Sequence, residues 1–281
     1  MHESRRKHGN FLRWPKHRNM GTIKIVIKTV PSAILHIPHS SRIIPSTARA
    51  SILLSDEDLS RELVRMTDSF TDELFQVDAS LATSVVFPAS RLVVDPERFL
   101  DDSLESMAKR GMGAVYTRTS HGDILRMEGN TPERERLVEE YYRPHHQHLT
   151  DAVQAALHSG SCLIIDCHSF TSVPLPHELD QSPDRPDICI GTDDFHSPKS
   201  LELGAIELFE KAGFRTFLNQ PFAGALVPKA FYQRDLRVRA IMVEINRRLY
   251  MDEASGQRLP TFAAFRVRFL EVLTKLLETT C

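Results

Sequence analysis

The segment Cys162–Phe170 (CLIIDCHSF) is an apolar run that ends in polar and ionisable residues. Short runs of branched apolar residues are typical of strands that are buried on both faces of a parallel sheet. In open sheets of this kind, ligands bind beyond the carboxyl ends of the strands. The segment therefore predicts a buried strand at 162–166, with His168 close to a binding site.

Two other apolar runs end in the same way, AILHIPH at His39 and AIMVE at Glu244. Further strand-like runs lie at 23–30, 82–90, 91–99 and 186–190. Helical patterns separate the strands, at 55–77, 132–157, 201–212 and 261–277. Strands that alternate with helices predict an α/β fold, with a mostly parallel sheet covered on both faces.

The composition excludes several classes of protein. A formal net charge of −2 over 281 residues gives no whole-chain preference for nucleic acid or acidic membranes. No apolar stretch is long enough for a membrane span, and the N-terminus lacks the apolar core of a secretory signal. The four cysteines show no metal-type pairing. We therefore predict a cytoplasmic protein, with a basic extension at 1–21 and a single domain at 22–281.

Three strand ends bring ionisable residues to one edge of the predicted sheet. The imidazoles of His39 and His168, together with one oxygen ligand, can form a zinc site. Such a site keeps one coordination position open. A nearby carboxylate such as Glu244 can then carry protons for a water molecule that the metal activates. Each residue also has a structural interpretation, because histidines after strands are commonly hydrogen-bonded in loops. Glu244 can pair with Arg247 or Arg248.

Six segments make the sequence recognisable: HIPHSSRIIP, SRLVVDPERF, YYRPHHQHL, DCHSF, RPDICIGTDDFHSP and VEINRRLYMD. In this order they resemble the N-formylglutamate amidohydrolase family, over about residues 33–252. The family is similar to the zinc carboxypeptidase-like hydrolases, which implies a three-layer αβα fold of the phosphorylase/hydrolase-like type. The implied reaction is hydrolysis of N-formyl-L-glutamate, a small acidic N-acyl amino acid, to formate and L-glutamate.

The resemblance implies roles for three of the strand-end residues. His39 matches the first zinc histidine, and His168 matches the histidine at the end of a central strand. Glu244 takes the place of the glutamate that transfers protons. The carboxypeptidase pattern His-x-x-Glu has Arg42 at its last position, so we predict Asp68 as the third metal ligand.

Two alternatives to Asp68 stay open. Asp72, one helical turn later, is an equal geometric rival. His36 offers a third nitrogen, although a residue inside a strand is more often a packed core histidine. A site of two histidines and a carboxylate also accepts manganese, iron or cobalt in place of zinc.

Arginines are the expected partners of the two carboxylates of N-formylglutamate, because guanidinium groups bind carboxylates bidentately. Arg98 matches the arginine of an Asn-Arg clamp in the wider group, although Glu97 stands where the asparagine is expected. His146 matches a histidine of the family motif, with a solvated surface position as its alternative. Further candidates, each of which can instead neutralise a nearby acid, are Arg42, Arg91 and Arg247.

Two other functions are consistent with the sequence. The same machinery can cleave another N-acyl acidic amino acid, which the departure at Glu97 makes credible. A catalytically silent carboxylate-binding protein is the alternative outside the enzymes, because the usual glutamate ligand is missing. The sequence has neither a phosphate-binding glycine motif nor a Gly-x-Ser-x-Gly elbow, so we expect no nucleotide-dependent or serine-nucleophile mechanism.

Overall fold

A computed structural model describes residues 31–280. Its centre is a six-stranded sheet in the order β2-β1-β3-β6-β4-β5. The strands are β1 (Ala33–Ile37), β2 (Ala82–Val86), β3 (Cys162–Phe170), β4 (Ile188–Gly191), β5 (Thr216–Leu218) and β6 (Val238–Asn246). Neighbouring strands are parallel except for β4 and β6, which are antiparallel. The predicted α/β fold with a mostly parallel mixed sheet is confirmed.

Helices and one small hairpin complete the described part of the chain. The α-helices are α1 (Ser46–Arg49), α2 (Asp56–Met66), α3 (Thr71–Leu74), α4 (Thr131–Leu137), α5 (Arg143–Leu157), α6 (Lys199–Lys211) and α7 (Phe262–Thr280). The hairpin pairs β7 (Met251–Asp252) with β8 (Gln257–Arg258). No helix within residues 31–280 is long and apolar enough to cross a membrane. The predicted extension at 1–21 and strand at 23–30 lie outside the described residues.

Side chains of the central strands alternate between the two faces of the sheet. One face packs against α6 and α7, and its strand residues include Leu35, Ile165 and Val243. The opposite face packs against α5 through residues such as Ile34 and Ile164. The resulting order of layers is helix, sheet, helix, as the α/β prediction requires.

The face beneath α5 changes from apolar to polar toward the carboxyl ends of the strands. Along β3, Ile164 is followed on the same face by Asp166 and then by His168. His36 of β1 lies opposite Asp166, and Glu244 of β6 lies opposite His168. The parallel register therefore collects ionisable side chains on one half of one sheet face.

The helix predicted at 55–77 is wrong in its middle, because the chain is not helical between α2 and α3. Phe70 adopts a left-handed backbone conformation (φ 69°), and Asp68 lies in the connection rather than in a helix. The main-chain N–H of Asp68 donates to the carbonyl oxygen of His39 at 3.0 Å. A tertiary hydrogen bond thus overrides the local helical preference.

The strand predicted at 91–99 is also wrong, because these residues form a series of turns. The side chain of Asp95 accepts a hydrogen bond from the main-chain N–H of Glu97 at 2.9 Å, and Pro96 between them has no N–H for a sheet ladder. The helix predicted at 132–157 forms as α4, a π-helical turn and α5.

Candidate active site

The ionisable residues at the carboxyl ends of β1, β3 and β6 meet in one cavity. The cavity has a volume of about 520 Å³, and the residues that line it include His39, Asp68, His168, Glu244 and Arg247. A neighbouring cavity of about 660 Å³ shares Arg247 with it but contains none of the predicted metal ligands. The smaller cavity is therefore the candidate active site.

His39, Asp68 and His168 form a buried cluster whose donor atoms lie within 4.8 Å of one another. The Nδ1 atoms of both rings face the same carboxylate oxygen, Asp68 Oδ2, at 3.6 Å from His39 and 3.2 Å from His168. Among residues 31–280, His39 Nδ1 has no hydrogen-bond partner. Two imidazoles and one carboxylate are a donor set of catalytic zinc sites, so these residues fit a divalent transition-metal ion.

Each histidine of this cluster turns its other nitrogen to a second carboxylate. His39 Nε2 lies 2.8 Å from Asp95 Oδ1, and His168 Nε2 lies 3.1 Å from Asp166 Oδ1. The hydrogen bond to Asp95 places a ring proton on His39 Nε2 and fixes the orientation of that ring, whereas His168 Nε2 has no hydrogen-bond partner among residues 31–280. Both Nδ1 atoms are then directed toward Asp68.

Asp68 is held from its other side by Arg247, whose Nη2 donates to Asp68 Oδ1 at 2.8 Å. Burial disfavours the charged carboxylate, but the hydrogen bond with His168, the nearby His39 ring and the charge of Arg247 outweigh it. The pKa of Asp68 is therefore held well below its usual range. Asp68 is a carboxylate at neutral pH, which is the protonation state that a metal ligand needs.

A second group of possible ligands, His36, Glu97 and Asp166, lies directly behind the first. His36 is fully buried; its Nδ1 lies 2.8 Å from Asp166 Oδ1 and its Nε2 lies 2.8 Å from His145 Nε2. Because both of its nitrogens are engaged, His36 supports Asp166 and supplies no third nitrogen to the cluster of His39 and His168.

Glu97 lies between the two groups, with Oε1 3.3 Å from His36 Nδ1 and Oε2 3.9 Å from His168 Nε2. Burial and the negative charge of Asp166 raise the pKa of Glu97 well above its usual range. A protonated carboxyl group can donate a hydrogen bond, as an asparagine amide does. Glu97 can therefore act as a hydrogen-bond donor.

Glu244 faces the cavity beside His168 and is only 7% exposed. Its Oε2 atom has no hydrogen-bond partner within the described part of the chain. Burial raises the pKa of Glu244 to about 8, although the nearby charge of His168 partly offsets the effect. A carboxyl group with a pKa near neutrality can accept and return a proton, which is the property of a general base and acid.

Three of the predicted substrate arginines line the cavity: Arg91, Arg98 and Arg247. Arg91 is fixed by Asp95, with Nη2 2.7 Å from Oδ2, and its Nε donates to the hydroxyl oxygen of Tyr116 at 3.1 Å. Arg98 is held more loosely, because its Nε has no hydrogen-bond partner among residues 31–280 and lies 3.6 Å from Asp95 Oδ2. Of these three arginines, Arg98 is therefore the one most able to bind an anion.

The structure does not bring Arg42 and His146 into this cavity, since neither residue lines it. Arg42 is exposed on the surface. His146 stacks on Tyr142, with ring centroids 4.1 Å apart, and its Nε2 lies 2.9 Å from the carbonyl oxygen of Pro96. His146 therefore contacts the turn that carries Glu97 and Arg98.

Asp72, the rival of Asp68, is exposed and lies outside the cavity. Asp95 and Asp166, by contrast, escape the sequence prediction. A signal exists for Asp166, because residues two apart on a strand share one face, and His168 is two positions later. No comparable signal exists for Asp95, since its contact with His39 joins residues 56 positions apart across irregular structure.

Fold and site together define an α/β protein that gathers a histidine and carboxylate cluster at the carboxyl ends of parallel strands. The family model described as FGase, N-formylglutamate amidohydrolase, matches residues 32–251. The chain belongs to the N-formylglutamate amidohydrolase family. It is 30% identical over 206 residues to an N-formylglutamate deformylase of Pseudomonas aeruginosa, a match that covers 70% of this chain and 75% of the relative.

Two solved structures share the fold. A crystal structure of N-formylglutamate amidohydrolase from Ralstonia eutropha JMP134 superposes with a TM-score of 0.76 at 21% identity, covering 89% of this chain and 96% of that chain. The crystal structure of a gene product of Agrobacterium tumefaciens gives a TM-score of 0.60 at 22% identity, covering 89% of this chain and 90% of that chain. Both comparisons support the same α/β architecture.

Proposed function

We propose that the protein hydrolyses the amide bond of N-formyl-L-glutamate with the help of a divalent metal ion. One observation carries the proposal: two histidines direct Nδ1 at one oxygen of Asp68, beside the buried carboxyl group of Glu244. The substrate is proposed from the family, whose relative in Pseudomonas aeruginosa is named N-formylglutamate deformylase.

The proposed metal ligands are His39 Nδ1, Asp68 Oδ2 and His168 Nδ1. Zinc suits this donor set, and manganese, iron or cobalt are chemically acceptable alternatives. When bound, such an ion would polarise the formyl carbonyl group and lower the pKa of a water molecule. Asp95 and Asp166 would keep the two rings in the orientation that ligation needs.

Glu244 is the proposed general base and acid. As a carboxylate it takes a proton from the attacking water, whose oxygen forms a bond to the formyl carbon. It then returns the proton to the nitrogen as the carbon–nitrogen bond breaks, which releases formate and the amino group of L-glutamate. Its pKa of about 8 lets a single group do both at neutral pH.

Arg98 is the proposed partner of the substrate α-carboxylate, because its Nε is uncommitted and its side chain lines the cavity. Arg91 stays fixed by Asp95, and Arg247 orients Asp68. We assign His146 to positioning the turn of Glu97 and Arg98, through its contact with the Pro96 carbonyl oxygen. Arg42 has no role in this scheme.

The proposal is tested by replacing Glu244 with glutamine, which keeps the side-chain shape but cannot take up a proton. We expect Glu244→Gln to lose at least about 100-fold in the rate of formate release. Zinc content, measured by elemental analysis, should stay that of the wild type, because Glu244 is not a proposed ligand. A Glu244→Gln protein with wild-type formate release would refute the role of Glu244.

A further inference from the structure

A second group of possible metal ligands lies behind the cluster that is proposed to bind the active-site ion. His36, Glu97 and Asp166 each offer one donor atom to this group, and the three atoms lie within 4.8 Å of one another. His36 Nδ1 is 2.8 Å from Asp166 Oδ1 and 3.3 Å from Glu97 Oε1. Because His36 and Asp166 are at most 1% exposed, the group is built into the interior of the protein.

Two buried atoms that face this group have no hydrogen-bond partner among residues 31–280, namely Glu97 Oε1 and His168 Nε2. His168 is only 5% exposed, and its Nε2 lies 3.1 Å from Asp166 Oδ1 and 3.9 Å from Glu97 Oε2. A buried polar atom without a partner is costly, and a bound ion can satisfy it. The two unpartnered atoms therefore point to a ligand that binds between these side chains.

The two carboxylates of the group lack a strongly cationic partner. Within the described part of the chain, Asp166 and Glu97 form ion pairs with His36 and His168, and no lysine or arginine pairs with either carboxylate. A divalent cation would offset the repulsion between the carboxylates. It would also take the place of the proton that Glu97 otherwise holds, because a carboxyl group binds a metal ion in its deprotonated form.

The separations between the donor atoms match a four-coordinate ion. Zinc bonds to histidine nitrogen and carboxylate oxygen are about 2.0–2.2 Å long, so neighbouring ligand atoms of a tetrahedral site are roughly 3.3 Å apart. The four separations that join the two histidine nitrogens to the carboxylate oxygens are 2.8, 3.1, 3.3 and 3.9 Å. Small side-chain adjustments therefore suffice to place an ion between them.

Neighbouring groups support His36 and Asp166 in positions suited to ligation. His36 Nε2 lies 2.8 Å from His145 Nε2, and a proton donated from His36 to His145 leaves a lone pair on His36 Nδ1. Asp166 Oδ2 accepts a hydrogen bond from the main-chain N–H of Leu226 at 2.9 Å, while Oδ1 faces the two histidines. Supporting hydrogen bonds of this kind are typical of metal ligands.

We propose that this group is a second metal site, which binds a divalent transition-metal ion such as zinc or cobalt. The ligands are His36 Nδ1, Asp166 Oδ1, a carboxylate oxygen of Glu97, and His168 Nε2. Imidazole nitrogen and carboxylate oxygen suit these ions. When both sites are filled, His168 binds one ion through each ring nitrogen and releases its remaining ring proton to solvent. The second ion binds more weakly, because the two ions repel each other and share one ring.

The test is the number of zinc ions that the metal-free protein binds, measured by elemental analysis after equilibrium dialysis at a series of zinc concentrations. We expect two ions per chain at saturation, the second bound at least about tenfold more weakly than the first. The inference shares His168 with the proposed active-site ion. One ion per chain would overturn the second site and leave the proposed function intact, whereas no bound ion would overturn both.

Two substitutions in the cavity wall distinguish the second site from adventitious binding. Glu97→Gln keeps the side-chain shape but removes an anionic ligand, so we expect this protein to retain the first ion, which shows that it is folded, and to lose the second. Asp180→Asn is the matched control, because Asp180 lines the same cavity but belongs to neither group of ligands. It should bind two ions. Two ions in Glu97→Gln, or loss of the second ion in both variants, would contradict the inference.

Discussion

The carboxylates of Asp95 and Asp166 lie behind His39 and His168. Each carboxylate faces the Nε2 atom of one ring, at 2.8 Å and 3.1 Å, and both Nδ1 atoms then face Asp68. His36 also lies beside Asp166, at 2.8 Å, but its two nitrogens face Asp166 and His145 rather than Asp68. The geometry therefore supports metal ligation more strongly than the sequence positions of the two histidines do.

At the residue scale, Asp68 is the least predictable member of the proposed site and the most easily tested. Asp68→Asn keeps the side-chain shape but removes the anionic ligand, so we expect the affinity for zinc to fall by at least about tenfold. Asp72→Asn is the matched control, because Asp72 is exposed four residues later. Affinities are measured by competition of the metal-free proteins with a chelator of known strength. Equal affinity in the wild type and Asp68→Asn would exclude Asp68 as a ligand.

The raised pKa of Glu244 has a consequence for the stability of the metal-free protein. The folded-state pKa of about 8 lies above the ordinary value of 4.5, so between these pH values the folded state holds a proton that the unfolded state has lost. The stabilisation is complete below about pH 4.5 and disappears as the pH rises through 8.

We therefore expect the free energy of unfolding of the metal-free wild type to fall between pH 5 and pH 8 more steeply than that of Glu244→Gln. Denaturant unfolding at a series of pH values measures both slopes. Identical slopes in the two proteins would show that Glu244 has no raised pKa.

At the scale of elements, the strands that carry the proposed site are predictable and the connections are not. His39, His168 and Glu244 follow from apolar runs that become polar, because β1, β3 and β6 are parallel and present their carboxyl ends at one edge. Periodicity extends the helix at 55–77 through Asp68, whereas a hydrogen bond to the carbonyl oxygen of His39 ends it. Local pattern contains no information about that distant partner.

The turn region at 91–99 shows the same limit. Its apolar residues resemble a strand. The Asp95 carboxylate, however, accepts hydrogen bonds from the main-chain N–H of Glu97 and from the side chains of Arg91 and His39. This single buried carboxylate therefore joins three parts of the site. Burial opposes its ionisation, but the charges of Arg91 and His39 outweigh burial and hold the pKa of Asp95 well below its usual range. The turn exists because it satisfies Asp95, which only the assembled fold reveals.

At the scale of the whole molecule, the alternation of strands and helices predicts the layered α/β architecture, and the family match over residues 32–251 agrees with it. The lining of the candidate cavity is not predictable in this way, because it draws Met66, Met107, Phe170 and Met242 from four separate segments. Only their assembly shows how much apolar surface surrounds the proposed ligands.

The most direct test of the central claim is formate release from N-formyl-L-glutamate by the intact protein before and after metal removal. We expect chelation to abolish formate release and about one equivalent of zinc per chain to restore it, because His39, Asp68 and His168 are the proposed ligands of a single metal ion. Asp68→Asn should not regain activity at the same zinc concentration. Undiminished formate release from protein shown by elemental analysis to be free of metal would contradict the account.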